Sequence, residues 1–420
     1  MLSFHFKASL CYFCGLMLSI SSMFFRDVIK NTVQSVGLLL CCTLLNNLSV
    51  MAQGNDCGLK DNTTASGQTC AITTAVPFLM ICPDSRSGAL GEAGVAIANN
   101  ANGMYWNPAS MPHYKAKWGF ALNYTPWLRG LGIPDINHFY LPFYYNFGDK
   151  GGALGVSMTF FSLGEINLTN AVGQETGKIN PSEYSFNASY AHKVTEHFSA
   201  GVSLRYIRSD LAGAQTSGGI TTNPAQSFAG DIALFGTRDL GIKQSADDGK
   251  LTFSWGLNIS NLGAKMSYTS TTGQRDFLPQ NLRLGYGLRY YFDDANSIMF
   301  TNDFNKLLVP SAGGTKDVPT IQGAFESFGD APRGFSEEIS EINVSLGAEY
   351  NYDNTFMARA GYFYEDPNKG NRRFFTVGLG VSFKSFGLDG AFLIPITQNH
   401  PLQNTFRFTL NFLFGREQND

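Results

Sequence analysis

Charge is scarce in this 420-residue sequence: only 15% of its residues are Asp, Glu, Lys or Arg, against about a quarter in an average soluble domain. A formal net charge of −3 argues against a nucleic-acid binder, which would normally show a basic surface, so no nucleic-acid partner is expected. Long apolar runs are lacking too. Beyond the N-terminus no stretch reaches the roughly 20 apolar residues of a membrane-spanning helix, and the mean hydropathy of −0.08 is near neutral. Cysteine is sparse: Cys11, Cys14, Cys41 and Cys42 fall in the leader, and only Cys57, Cys70 and Cys82 follow it. Those three hold no CxxC pair, so no metal site is read and no cofactor is expected.

What the chain does have is 44% hydrophobic residues, 35 Phe, 18 Tyr and 45 Gly. With near-neutral hydropathy, these apolar side chains must be interleaved with polar ones. From Arg26 and Lys30 the chain enters VGLLLCCTLLNNLSV and reaches Val50-Met51-Ala52, the basic, apolar and small-residue order of an export signal. Residues 1–52 are read as a signal peptide cleaved after Ala52. The apolar stretch before Met23 is most simply explained by a true start at Met23; a genuine N-terminal membrane helix is the competing reading. Bulky Leu40 before Cys41 argues against a lipoprotein signal. Residues 53–76 are read as a periplasmic extension, in which a Cys57–Cys70 disulfide would close a short loop worth about 3 kcal/mol; Cys82 is left over.

From Lys115 onward the apolar period is two. LTFSWGLNIS places Leu251, Phe253, Trp255, Leu257 and Ile259 on one face and Thr252, Ser254, Gly256, Asn258 and Ser260 on the other; FFTVGLGVSFK alternates in the same way. Alternation over about ten residues is the signature of a tilted strand with one face to lipid and one to a lumen. Fourteen such segments begin near Ala116, Ile136, Ala153, Tyr184, Phe198, Phe228, Leu251, Leu282, Ile298, Ile342, Phe356, Phe374, Phe386 and Asn404. The pattern is least regular at Phe228 and Ile298. Connections after even segments are mostly turns, such as GDKGG and YDN, whereas those after odd segments are mostly long: 164–183, 209–226, 262–280 and 307–340. Short periplasmic turns and long external loops show this parity in outer-membrane barrels. The fold expected is all-β: a 14-stranded antiparallel transmembrane β-barrel over residues 115–414, in the outer membrane and in contact with its lipid. The last segment, NTFRFTLNFLF, aligns Phe406, Phe408, Leu410, Phe412 and Phe414 on one face, like the signal read by barrel-assembly machinery; residues 415–420 form a tail after it.

Before the first strand, DSRSGALGEAGVAIANNANGMYWNPAS (84–110) spaces Gly88, Gly91 and Gly94 as G-x-x-G-x-x-G. A phosphate cradle would need a strand before this run and a helix N-terminus after it, and the sequence offers neither. Fourteen strands enclose more lumen than the side chains of an eight-stranded barrel can fill. Residues 77–114 are therefore read as a small-residue plug threading into the lumen from the periplasmic side, with a flexible periplasmic linker as the competing reading. Asp84 and Arg86 would pair with lumenal polar groups, and Trp106, Asn107, Pro108 and Ala109 would make the corner into the first strand. Among the histidines, His138 points inward, because Phe139, Leu141, Phe143 and Tyr145 take the lipid face. It is read as a hydrogen-bonded lumenal residue; no catalytic residue is assigned, since no serine and acid accompany it in sequence. The runs Glu337-Glu338 and Arg372-Arg373 lie in or beside loops and are read as solvated.

The run PDSRSGALGEAGVAIANNANGMYWNPAS followed by an alternating sheet resembles the PorV family of the type IX secretion system, over roughly residues 77–414. That family in turn is similar to the FadL fatty-acid transporters, which also carry a small-residue segment ending in an Asn-Pro-Ala corner. Residues 53–76, the early start and the tail depart from the pattern. The resemblance implies a non-enzymatic outer-membrane carrier. Its partners would be the C-terminal signal domains of secreted cargo, the type IX translocon, and the sortase-like PorU with other attachment-complex proteins. A FadL-like channel for hydrophobic solutes is the alternative, and a lipid A or phospholipid deacylase the second alternative.

Overall fold

The computed structural model describes residues 71–97, 100–133, 135–148, 150–170, 172–211, 216–217, 220–241, 250–269, 275–311, 318–332, 334–397 and 400–415. The signal peptide, the Met23 start and the Cys57–Cys70 pair lie outside these residues.

Fourteen strands close into one antiparallel barrel, each bonded to its sequence neighbour and the last to the first. They are β1 (Trp118–Pro126), β2 (Asn137–Asn146), β3 (Ala153–Ser162), β4 (Ser182–Thr195), β5 (Phe198–Asp210), β6 (Ala225–Gly241), β7 (Lys250–Gly263), β8 (Asn281–Tyr291), β9 (Asn296–Leu307), β10 (Ile342–Tyr352), β11 (Phe356–Tyr364), β12 (Arg373–Phe383), β13 (Phe386–Pro395) and β14 (Phe406–Phe414). Every expected segment is present, with its start displaced by three residues at most. Closure pairs Trp118 with Phe414 and Tyr124 with Phe408, leaving no free edge to aggregate.

Two strands that read irregularly from sequence have structural reasons for it. In β6 the register slips between Gly230 and Ile232, where Asp231 turns inward to Arg205 at 2.8 Å. In β9, Thr301, Asn302 and Asp303 are all buried in succession, which breaks the alternation. No helix among the described residues is long and apolar enough to cross a membrane.

Along the strands apolar side chains face out and polar ones in: Phe406, Phe408 and Leu410 are exposed while Arg407, Thr409 and Asn411 are buried. Aromatic rings gather at the short-turn end, where Trp118 stacks on Phe414 at 4.2 Å and Phe120 on Phe412 at 4.4 Å, as in the interfacial girdle of an outer-membrane barrel. Long connections leave the opposite rim. The longest carries α3 (Thr320–Glu326) and α4 (Phe335–Ser340).

Candidate functional site

Within the barrel lies the segment that precedes β1. Asp84 caps α1 (Ser85–Ala89), its carboxylate accepting the Ser87 N–H at 2.8 Å; an oxygen acceptor is what the unpaired donors of a helix start require. A second one-turn helix, α2 (Gly103–Trp106), and a 3₁₀ turn, Pro108–His113, complete the plug. Leu90, Ala93 and Val95 are fully buried.

Each of the three glycines meets a close neighbour. At Gly91 φ is +68°, and a Cβ there would stand 2.5 Å from the Tyr362 carbonyl oxygen and 2.7 Å from that of Leu346. Gly88 lies beneath Arg407, and Gly94 beneath the Trp106 indole. The wall answers with its own glycines: Gly347 and Gly361 face Leu90, and Gly378 faces Ala89. Small residues on both surfaces let backbone approach backbone.

Polar groups then fix the register. The Gly91 N–H donates to Thr376 Oγ1 at 2.9 Å, and Thr376 Oγ1 donates to the Ala89 carbonyl at 2.8 Å. Gly94 and Val95 N–H both donate to Asp303 Oδ2, at 2.7 and 2.9 Å. Arg86 grips Glu349 with two bonds, of 2.9 and 3.0 Å. Glu349 also receives Arg289 at 2.7 Å and Arg359 at 2.8 Å, and Arg359 continues to Asp389 at 2.6 Å. Arg407 reaches Glu92 at 2.6 Å.

Arg86 therefore pairs with the wall as expected, but Asp84 does not. Its two bonds stay inside the plug: the Ser87 N–H of the helix start takes one oxygen and Trp106 Nε1 the other, each at 2.8 Å. Trp106 ends α2, and Asn107, in extended backbone, joins it to the 3₁₀ turn that precedes β1. Asn107 Nδ2 donates to the carbonyls of Val95 and Leu234, and the Trp106 carbonyl accepts from Asn258 Nδ2. Pro108 starts the 3₁₀ turn, which ends at His113, before β1 begins at Trp118. His138 is buried on the inner face, yet neither ring nitrogen has a hydrogen-bond partner; the expected hydrogen-bonded histidine is corrected on that point.

Glu337 and Glu338 are not solvated. Lys306 of β9 binds Glu338 at 3.0 Å and Glu341 at 2.6 Å; Lys369, from the β11–β12 connection, binds Glu337 at 2.7 Å and Glu341 at 2.9 Å. All five are buried. This knot clamps the longest connection to the rim, and its apolar side chains point elsewhere: Ile321, Phe325, Phe328, Phe335 and Ile339 are all more than half exposed.

One place in the wall is weaker. Pairing of β1 with β2 lapses between Phe120–Phe143 and Asn123–Tyr140, where Pro142 has no N–H to give the ladder. On the lipid-facing side, from this seam across to β6, lies an open apolar hollow of about 620 Å³, lined by Phe120, Leu122, Leu141, Val156, Phe186 and Phe228 among others.

The family model for type IX secretion system protein PorV matches residues 64–313, more than half of the chain. The chain belongs to the PorV family. It is accordingly an outer-membrane component of the type IX secretion system. No curated protein matches this PorV-family chain. Its solved structural neighbours include the toluene transporter TodX of Pseudomonas putida (13% identity, 77% of this chain and 95% of that one, TM-score 0.44). The monoaromatic hydrocarbon channel CymD (12%, 79% and 97%, 0.42) and a Pseudomonas aeruginosa FadL homologue (13%, 83% and 100%, 0.36) are others.

Proposed function

We propose that this chain is a non-enzymatic shuttle and attachment component. It binds the folded C-terminal signal domain of secreted cargo at the outer rim and hands it to a sortase-like partner, which removes the signal and anchors the cargo to surface lipopolysaccharide. The observation that carries this reading is the clamped α3–α4 connection. Large apolar side chains left exposed together mark interaction surfaces, and aromatic anchors dominate protein interfaces. A rigid base lowers the ordering cost of binding through them.

The test is purification of the native protein, asking whether cargo with intact C-terminal signals comes with it. The paired variant Phe325→Ser with Phe335→Ser is expected to recover at least tenfold less cargo, since two anchor residues are worth about 2 kcal/mol each, while its heat-dependent gel mobility stays that of the native barrel. Undiminished recovery removes this connection from the reading, and absence of cargo from the native preparation removes the shuttle role.

The second reading, a channel for hydrophobic solutes, is favoured by one feature, the apolar hollow at the Pro142 seam; recovery of lipid alone would support it. A deacylase needs a nucleophile within reach of His138. Among the described residues none is bonded to either ring nitrogen.

A further inference from the structure

The plug crosses the lumen in one direction, and the direction is the reverse of the one read from sequence. The Ala75 N–H donates to the Phe277 carbonyl at 2.9 Å, and Phe277 lies in the long β7–β8 connection. Val76, Phe78 and Leu79 pack into one apolar cluster with Ile136, Phe161, Ile207 and Leu278, all at the long-connection ends of their strands or just beyond them. Phe78 also stacks on Phe161 at 6.4 Å. At the other extreme, His113 Nε2 meets Ser199 Oγ at 3.0 Å, and the Pro112 carbonyl accepts from Asn146 Nδ2 at 3.3 Å; both partners stand beside short turns. Between the two ends the path is filled: Ala89, Leu90, Ala93 and Val95 have no exposed surface. Leu90 and Gly91 lie in close backbone contact with Gly347 and Gly361 of the wall.

We propose that the polypeptide enters this barrel from the cell exterior, so that residues 71–74 are displayed at the outer rim together with the long connections. The residues immediately upstream of the plug then lie on the outer rim, and the last part of the expected periplasmic extension, residues 71–76, is not periplasmic. The physical cause is the apolar run Val76-Pro77-Phe78-Leu79. Water would face it at the periplasmic mouth, whereas the rim cluster buries it. The inference depends on taking the long-connection end as external and is independent of what cargo the rim binds.

Thr73 is exposed and serves as the reporter. In a Cys57→Ser, Cys70→Ser background, Thr73→Cys is treated on intact cells with a membrane-impermeant maleimide. Val172→Cys, in the long β3–β4 connection, is the external control, and Asp353→Cys, in the short β10–β11 turn, is the periplasmic one. Thr73→Cys is expected to label on intact cells to the extent of Val172→Cys, with Asp353→Cys labelled only after permeabilisation. Thr73→Cys labelled only after permeabilisation, with Val172→Cys labelled before it, overturns the proposal. Ala71→Cys repeats the measurement, and each variant is first checked for native heat-dependent mobility. Loss of cargo binding would leave this result unchanged, so the two readings fail separately.

Discussion

Glu349→Ala lowers the temperature at which the folded barrel loses its fast gel mobility, by removing about 3–5 kcal/mol of stability. The wild-type carboxylate is buried and shared by Arg86, Arg289 and Arg359, at 2.7 to 3.0 Å. Its deletion leaves three guanidinium groups in a sheltered lumen with only Asp389, at 2.6 Å from Arg359, to balance them. A surface pair would be worth under about 1 kcal/mol, so the size of the effect distinguishes a sealed interior from a water-filled pore. Arg86→Ala, which removes one of three cations and the plug's own contact, is expected to cost less. A Glu349→Ala barrel as heat-resistant as the wild type would mean that water already reaches this cluster.

Gly91→Val is expected to unseat the plug without opening the barrel. A branched side chain cannot take φ of +68° without a penalty of about 1–2 kcal/mol. Its Cβ would also stand 2.5 Å from one wall carbonyl and 2.7 Å from another, and neither can retreat without breaking the β10–β11 ladder. The amides that depend on this seat are those of Gly91, Gly94 and Val95, bonded to Thr376 and Asp303. Hydrogen exchange read on peptides covering residues 84–97 should accelerate at least tenfold, the factor that about 1.4 kcal/mol produces, while strand peptides keep their protection. Uniform acceleration over plug and strands would instead place Gly91 in the stability of the whole barrel. Unchanged exchange would deny the close approach altogether.

The strands were legible because a strand carries its own evidence. Phe406, Arg407, Phe408, Thr409, Leu410 and Asn411 announce two environments in six residues. The interior was less legible, because lumenal pairing is long-range: Arg86 and Glu349 are 263 residues apart, and no local pattern joins them. One signal was present nonetheless. Arg289, Asp303, Glu349, Arg359, Asp389 and Arg407 all stand on strands at the inward parity, where a charge is costly unless it has a partner. Asp84 departs from the expectation for a local reason: three residues before the Ser87 amide it binds, it is a helix cap before it is a lumenal contact. For Glu337 and Glu338 solvation is the default expectation, because most loop charges are solvated. Two lysines from separate parts of the chain, Lys306 and Lys369, reverse that default. The entry side of the plug could not be read, since the sequence shows that Val76, Phe78 and Leu79 need cover but not which rim supplies it.

Electrical recording of the purified wild-type protein in a planar bilayer asks whether the lumen is closed by its own N-terminal segment. A barrel whose interior is filled by residues 75–97 and 100–113, held by Glu349, Asp303 and Arg407, should pass no steady ionic current, whereas the same barrel with residues 77–113 deleted should conduct continuously. Sustained conductance from the intact protein, equal to that of the deletion, would show an open pore and end the description of this chain as a sealed carrier that works from its outer rim.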